Sequence, residues 1–267
     1  MRPKTDPLRR LAAGWRIQRR VIGALMIREL STRFGRENFG FLWMMFEPLL
    51  FPALVAVVWR LLRGSEEHGI GVMAFVVTGY VPLTLFRHAV GRSVGVIAAN
   101  GGLMYHRQIS LLDFIFVRFL IEMIGAMMAF ALIAVIMIYF EAFPIPADPG
   151  LMIAGWLIYS LFTLSMCLVL APLSEVSPLL EKLIPVTTYV MIPFAGTFNL
   201  VSWLDPSLRD AMLWSPFVDA MEMIRSGVFG ERIHAYYNVW IPLAESMVCM
   251  MVGLVLCRAI RRRLVVE

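Results

Sequence analysis

The chain has 267 residues, of which 60% are hydrophobic and only 16% charged, and its mean hydropathy is +0.76. Soluble domains contain about 45 to 50% apolar residues, so this composition excludes a soluble globular domain and predicts an integral membrane protein. The formal net charge is +5, with cations concentrated at the two ends. The three cysteines lie inside apolar runs, which excludes a disulfide framework.

The N-terminal segment, residues 1–36, is strongly basic and precedes the first apolar run. Between Trp15 and Phe34, apolar residues recur at spacings of four, which predicts an interface helix lying on the cytoplasmic membrane surface. Arg28, Glu29 and Arg33 interrupt the apolar stripe and suit contact with a partner protein. Two roles fit the basic segment: membrane topology with attraction to anionic lipid, or docking.

Six stretches along the chain are long and apolar enough to span a membrane, since about 20 helical residues cross roughly 30 Å of hydrocarbon. They are residues 39–62, 70–90, 114–139, 151–173, 183–203 and 238–257. We therefore expect an all-α polytopic membrane protein whose transmembrane domain covers residues 37–259, followed by a basic tail at 260–267. The even number of spans and the positive-inside rule both place the two termini in the cytoplasm. The loops at residues 63–69 and 141–150 then face outward.

Charged residues inside the spans need partners or water, because each costs several kcal/mol in hydrocarbon. Glu47 lies just before Pro48, which can bend the first helix. Glu47 either sits at the inner interface of an obliquely entering helix or faces a polar path. Arg118 and Glu122 are four residues apart in the third span, which predicts an ion pair within that helix.

Two segments between the spans show short helical patterns. In the segment 98–113, between the second and third spans, Gly101 and Gly102 permit a turn. A short cytoplasmic helix with apolar and aromatic side chains, at about residues 100–112, is expected there and would fit another protein. Residues 204–232 alternate apolar and charged side chains around the turn at Ser215 and Pro216. They predict a pair of short helices on or partly within the outer leaflet, or else an ordered extracellular cap.

The sequence contains few candidate catalytic, nucleotide-binding or metal-binding motifs. Neither Lys4 nor Lys182 follows a glycine, so an ATPase phosphate-binding loop is missing, and the scattered histidines predict no metal site. We expect no cofactor in this chain. Gly91 to Gly95, centred on Ser93, has the spelling of a nucleophile elbow, which makes a membrane-embedded lipid hydrolase a distant alternative. The same glycines also fit a helix-packing motif.

Four separated motifs occur in a recognisable order. They are Arg-Glu-Leu-Ser-Thr-Arg-Phe-Gly at residues 28–35, Leu-Trp-Met-Met-Phe-Glu-Pro at 42–48, Ala-Asn-Gly-Gly-Leu-Met-Tyr-His-Arg at 99–107, and Ser-Pro-Phe at 215–217 with Glu222 and Arg225. With them the chain, from about residue 20, resembles the permease subunit of ABC transporters that export capsular polysaccharide, of the glycolipid-linked kind found in Gram-negative bacteria. After residue 107 the family usually carries a proline and a lysine-containing stretch, whereas this chain has Gln-Ile-Ser-Leu-Leu.

The resemblance implies a fold of six transmembrane helices with an N-terminal interface helix, a coupling helix between spans two and three, and short periplasmic helices after span five. It implies a homodimer in the bacterial inner membrane, bound to two copies of an ABC ATPase subunit that holds ATP and magnesium. A periplasmic co-polymerase or adaptor and an outer-membrane exporter would continue the route. The implied substrate is lipid-linked capsular polysaccharide, and nucleic acid is not expected. Permeases that export O-antigen, teichoic acid or another glycolipid are the alternative.

The resemblance also suggests three groups of site residues, none of them catalytic or metal-binding. Residues of the first and fifth spans would line the channel, because sugar rings stack on aromatic rings, although aromatic residues equally suit lipid-facing belts: Trp43, Phe46, Glu47, Tyr189, Phe194, Phe198 and Trp203. Arg28, Arg33 and Arg36 would meet the phosphate of a lipid-linked glycan, or anchor the chain to lipid. The residues expected to contact the ATPase are Leu103, Tyr105, His106 and Arg107.

Overall fold

A computed structural model describes the helical core of the protein. The described residues are 7–34, 46, 50, 53–55, 57–59, 61–62, 64, 66–67, 69–104 and 109–264. Most of the first predicted span lies outside them, and so do six of the predicted site residues: Arg36, Trp43, Glu47, Tyr105, His106 and Arg107. The statements below concern the described residues.

These residues form helices and one hairpin of two-residue strands. In chain order the elements are α1 (Pro7–Phe34), β1 (Glu66–Glu67), β2 (Ile70–Gly71), α2 (Val72–Ser93), α3 (Val96–Met104), α4 (Leu111–Tyr139), α5 (Pro149–Ser174), α6 (Pro178–Val190), α7 (Pro206–Met212), α8 (Pro216–Phe229) and α9 (Trp240–Leu264). Single 3-10 turns occur at Pro193–Ala195, Val201–Trp203 and Gly230–Arg232. The hairpin is antiparallel, with Glu66 opposite Gly71 and Glu67 opposite Ile70.

Four of the described helices, α2, α4, α5 and α9, are long and apolar enough to cross a membrane. They coincide with the predicted spans at residues 70–90, 114–139, 151–173 and 238–257. Most of α2 is buried within the bundle, whereas most of α9 is not. The second span is therefore the central helix of the bundle.

The prediction of a continuous fifth helix over residues 183–203 is wrong. α6 ends at Val190, and its 13 residues rise only about 20 Å, which is less than the roughly 30 Å of hydrocarbon. Pro193 then begins a 3-10 turn, and Gly196 adopts a φ of 67°. Both features interrupt helical hydrogen bonding, so the chain beyond α6 continues as an irregular segment, residues 196–200.

The helix between the second and third spans also differs from the prediction for residues 100–112. α3 ends at Met104, and α4 begins at Leu111. The Asp113 carboxylate accepts the backbone N–H of Ser110 at 2.8 Å, an arrangement that caps the start of a helix. A new helix, α4, therefore begins here. Of the residues predicted to contact the ATPase, only Leu103 lies on the described α3.

Residues 204–232 contain two short helices, as predicted, but they differ in burial. No residue of α7 is buried, whereas every residue of α8 except Ser226 is buried. α8 packs against α5, α2 and α9 and therefore does not lie on the surface of the bundle, as a helix resting on the outer leaflet would.

The loops predicted to face outward lie at one end of the bundle. Glu66 of the hairpin and Glu141 of the α4–α5 loop line the same cavity, of about 390 Å³, together with Arg232 of the 3-10 turn after α8. Glu141 has a φ of 55°, a backbone conformation that is uncommon for a residue other than glycine.

Glycines set the close contact between α5 and α8. A Cβ atom added to Gly227 would lie 2.4 Å from the backbone nitrogen of Met152, and one added to Gly155 would lie 2.8 Å from the nitrogen of Ile224. A Cβ atom essentially never lies this close to an atom to which it is not bonded, so the two backbones approach to a separation that only glycine allows.

We expect Gly227→Ala to lower the thermal unfolding midpoint of the purified protein, because overpacking of a buried contact costs about 1–3 kcal/mol. Gly91→Ala is the matched control, since a Cβ atom there has nothing within 4 Å, and it should leave the midpoint unchanged or raise it slightly. Equal midpoints for the two variants would contradict the close packing of α5 on α8.

Candidate functional site

A network of ion pairs joins α1, α2 and α4 at the end of the bundle where α2 ends and α4 begins, named here the α1 end. Arg33 Nη1 lies 2.6 Å from Glu122 Oε1, and Arg33 Nη2 lies 2.9 Å from Glu29 Oε1. Arg118 Nε lies 3.4 Å from Glu29, and Arg92 Nε lies 3.8 Å from Glu122. The side chains of Arg33 and Glu122 are only 10% and 9% exposed. Buried ion pairs thus attach α1 to the spanning helix α4.

The predicted ion pair between Arg118 and Glu122 does not form. Arg118 pairs instead with Glu29 and donates from Nη1 to the carbonyl oxygen of Arg92 at 2.6 Å. A pair on one helix contributes only a few tenths of a kcal/mol, whereas a buried charge left without a close partner costs far more. Partners on α1, distant in sequence, therefore prevail over the local pair.

Two further contacts hold α1 against the bundle. Arg28 Nη1 donates to Asn100 Oδ1 of α3 at 3.0 Å, and the Gln18 amide donates to the Asp113 carboxylate of α4. Arg28, Glu29 and Arg33 in the second half of α1 therefore have partners within the bundle. Trp15 and Ile27 of the same helix are both 69% exposed.

The aromatic residues predicted for the channel fall into two groups. The ring of Phe198 packs against Trp59, with centroids 5.5 Å apart, and the ring of Trp203 packs against Phe75 at 4.9 Å. Three others are exposed on the described bundle: Phe46, Tyr189 and Phe194. The rings of this second group are the more accessible to a sugar.

Arg87 is a cation within the spanning helix α2, and its partners are aromatic. Its Cζ atom lies 3.8 Å from the centre of the Tyr189 ring, and its Nη1 donates to the Tyr80 hydroxyl at 3.2 Å. Among the described residues its Nε is buried and without a hydrogen-bond partner. The sequence reasoning missed Arg87, although a single arginine inside an apolar span is itself a signal.

The buried arginine of α8 binds the irregular segment that follows α6. Arg225 is fully buried and donates to the carbonyl oxygens of Gly196 at 2.7 Å, Thr197 at 2.6 Å and Asn199 at 3.0 Å. Its guanidinium lies 4.0 Å from the centre of the Phe75 ring on α2. Arg225 thus satisfies backbone groups that no helix satisfies at this point.

Two carboxylates on α8 bind backbone N–H groups. Glu222 accepts from Val201 at 3.2 Å and from Tyr236 at 3.3 Å, and Asp219 accepts from Asn238 at 2.8 Å. α8 is not one of the four spanning helices. Desolvation by burial raises the pKa of Asp219 to about 6 and that of Glu222 to about 7. The polar face of α8 is thus a structural anchor.

The pentapeptide around Ser93 has no nucleophile-elbow geometry. Ser93 is the last residue of the helix α2, so no strand precedes it, and its hydroxyl donates to the carbonyl oxygen of Val90 at 2.8 Å. The side chain is 1% exposed, which leaves no room for a substrate. The geometry does not support the lipid hydrolase alternative.

Comparison with known proteins agrees with this architecture. The profile of the family described as ABC-2 type transporter matches residues 20–229, from within α1 to the end of α8. The capsule polysaccharide export inner-membrane protein CtrC of Neisseria meningitidis serogroup B is 37% identical over 238 residues, which cover 89% of this chain and 90% of that protein. The corresponding protein BexB of Haemophilus influenzae is 32% identical over 242 residues, 91% of each chain.

A more distant relative carries a related name. The polysialic acid transport protein KpsM of Escherichia coli is 24% identical over 247 residues, 92% of this chain and 95% of that protein. The family match spans more than half of the chain, and CtrC and BexB exceed 30% identity over about nine-tenths of it. The chain therefore belongs to the ABC-2 type transporter family, among relatives that are inner-membrane proteins of capsule polysaccharide export.

Proposed function

We propose that the chain is the permease subunit of an ATP-driven ABC transporter that exports lipid-linked capsular polysaccharide across the bacterial inner membrane. The observation that carries the proposal is similarity over 89% and 91% of the chain to proteins named for capsule polysaccharide export. The four apolar helices of the bundle agree with a polytopic membrane protein. Both termini lie in the cytoplasm in this proposal, as the basic ends of the chain favour.

In the proposed assembly, two copies of the chain enclose the polymer path, and two copies of an ABC ATPase bind at the α1 end. α1 and α3 meet there through Arg28 and Asn100. The predicted ATPase contacts, Leu103 with the Tyr105, His106 and Arg107 group, belong to α3 and the segment that follows it. Movement of α3 or α1 would reach α4 through the buried pair of Arg33 and Glu122.

The proposed polymer path uses the exposed aromatic residues, because pyranose C–H faces stack on aromatic rings. Tyr189 and Phe194 supply such rings near the end of α6, and Phe46, Trp43 and Glu47 remain the predicted contribution of the first span. Arg28 is exposed at the α1 end, where it and Arg36 would meet the phosphate of a lipid-linked glycan. Arg33 contributes indirectly, since two carboxylates already bind its guanidinium.

Association with an ATPase is the direct test of this proposal. The tagged chain, expressed with the genes beside its own, should co-purify with an ABC ATPase in equal amounts, as native mass spectrometry would show. An ATPase variant without its phosphate-loop lysine is the control, since it should assemble but leave the polymer inside the cell. Export by the chain without any ATPase would contradict the proposal.

Ser93→Ala tests the hydrolase alternative. We expect surface polysaccharide within about twofold of wild type, because the hydroxyl donates to a helix carbonyl and removal of such a contact costs about 1 kcal/mol or less. Surface polysaccharide is measured with a capsule-specific antibody, and the amount of variant in the membrane is measured in the same cells. Loss of export at a normal amount of protein would favour a chemical role for Ser93.

A further inference from the structure

We infer that Arg87, held by Tyr80 and Tyr189, forms an oxyanion-binding site on the transport path, which takes carboxylate or phosphate groups of an anionic glycolipid as they pass. The inference rests on the proposed function and deepens it, because it names the chemical group of the substrate that one residue recognises. Three observations on the described residues carry it: no carboxylate among them lies beside Arg87, its Nε has no hydrogen-bond partner among them, and the ring that covers it is exposed.

The first observation is the charge balance inside the spanning helices. Arg118 and Glu122 of α4 have partners of opposite charge, Glu29 and Arg33. Arg87 has no carboxylate within 4 Å in the part of the chain that the structure describes; its partners there are two tyrosines. A charge in a spanning helix that no opposite charge neutralises is costly and marks a functional position. An anionic ligand would supply the missing charge.

The second observation is the set of donors that the guanidinium leaves free. Arginine carries five N–H groups in a planar fork that matches carboxylate and phosphate oxygens. Nη1 donates to Tyr80, whereas Nε is buried without a partner among the described residues. The Tyr189 ring holds the plane of the guanidinium without neutralising its charge. Arg87 is therefore pre-oriented and still able to bind an anion.

The third observation is the exposure of the covering ring. Tyr189 is 59% exposed, and Val186 and Val190 of α6 are also exposed on the described bundle. The ring that lies on Arg87 is thus at the surface, although α2 itself is mostly buried. If this surface faced lipid, only the Tyr189 ring would separate the Arg87 guanidinium from hydrocarbon, which is unfavourable for a charge. A polar path beside α6 removes that cost, and rotation of one side chain would open the site.

A second arginine of the chain provides a matched control. Arg209 of α7 also lies over a tyrosine, with its Cζ atom 4.6 Å from the centre of the Tyr236 ring. Its Nη2 donates to the carbonyl oxygen of Leu204 at 3.4 Å, and α7 lies outside the four spanning helices. Arg209→Gln therefore removes a cation and a ring contact of the same kind away from the proposed path.

The test compares export of two polymers carried on the same lipid anchor, one acidic and one neutral, in cells that lack their own permease. We expect Arg87→Gln to reduce surface acidic polymer at least about tenfold, as loss of a charged contact in a spanning segment implies. Arg87→Lys keeps the charge without the fork and should restore most of this loss. Arg209→Gln should match wild type with both polymers.

Export of the neutral polymer shows whether the recognised oxyanion belongs to the sugar chain or to the lipid anchor. If Arg87→Gln reduces only the acidic polymer, the recognised groups are those of the sugar chain. If it reduces both and Arg87→Lys restores both, the recognised group is the phosphate of the anchor. Either result supports the inference, provided that equal amounts of assembled complex are purified.

Three results would overturn the inference. The first is that Arg87→Gln exports both polymers as wild type does. The second is that the Gln and Lys variants of Arg87 lose export of both polymers to the same extent. The third is that Arg209→Gln loses export of both polymers as much as Arg87→Gln does. If Arg87→Gln does not assemble, the Lys variant decides alone. A partial loss of the acidic polymer, or of both polymers, supports the inference, and unchanged export or complete loss of both polymers overturns it. A wild-type chain that exports neither polymer would instead contradict the proposed function.

Discussion

Arg225→Leu should eliminate the folded permease. The guanidinium donates to three backbone carbonyl oxygens of the irregular segment after α6, at 2.6 to 3.0 Å. Leucine fills part of the volume but satisfies none of these acceptors, and each unsatisfied buried group costs about 1–3 kcal/mol. The total cost is at least about 3 kcal/mol, a large fraction of the stability of a typical domain.

The measurement is the amount and thermal midpoint of the detergent-purified chain, with Arg232→Leu as control. Arg232 is an exposed arginine just beyond α8, so its loss should leave both quantities near wild type. Arg225→Lys should be intermediate, because lysine retains the charge but cannot reach three carbonyl oxygens with a planar fork. Normal yield and midpoint for Arg225→Leu would show that α8 does not hold the segment in place.

Glu122→Ala should uncouple α1 from the bundle and strongly reduce export. Its carboxylate lies 2.6 Å from Arg33 and 3.8 Å from Arg92 and from His88. Without it these groups face one another across the α1 end, and removal of one partner of a buried pair costs about 3–5 kcal/mol. Because α1 is attached at one side, we expect this cost to appear as detachment of α1 rather than as global unfolding.

Limited proteolysis separates these two outcomes. Trypsin should cleave within α1 of the Glu122→Ala variant faster than in wild type, while α2 to α9 stay protected and surface polysaccharide falls at least about tenfold. Glu231→Ala, which removes an exposed carboxylate, is the control and should behave as wild type. Normal export with a detached α1 would show that α1 does not transmit motion to α4.

The spanning helices could be predicted from sequence because every apolar residue in a span adds to the mean hydropathy by which the span is recognised. Each of α2, α4, α5 and α9 carries enough consecutive apolar residues to fill the hydrocarbon layer. The break in the fifth stretch was missed for the same reason, since averaging over an apolar run hides single residues. Pro193 and Gly196 were visible in the sequence, and they are the residues at which the helix fails to continue.

The burial of polar residues could not be predicted, because it depends on partners distant in sequence. Asp219, Glu222 and Arg225 on one helix indicate a surface helix by local pattern, yet all three are buried against backbone groups from two other segments. Arg118 and Glu122 satisfy the spacing rule for an ion pair, but α1 supplies nearer partners to both. The spacing rule considers only residues of the same helix and takes no account of partners on other helices.

The channel residues chosen from the sequence remain a prediction. Tyr189 and Phe194 are exposed on the described bundle, whereas the rings of Phe198 and Trp203 pack against the rings of Trp59 and Phe75. Arg87 was missed, although a single arginine inside an apolar span is a signal that the sequence itself carries. Its significance comes from the tyrosines that α2 and α6 bring to it.

Complementation in cells is the most direct test of the proposed role as an ATP-dependent exporter. A capsule-forming strain without its permease gene receives this chain together with its ATPase, and surface polysaccharide is counted by antibody binding and flow cytometry. We predict that polymer returns to the surface with the active ATPase and stays inside the cell when the ATPase cannot hydrolyse ATP. Equal surface polymer with the active and the inactive ATPase, or none with either although the complex assembles, would contradict it.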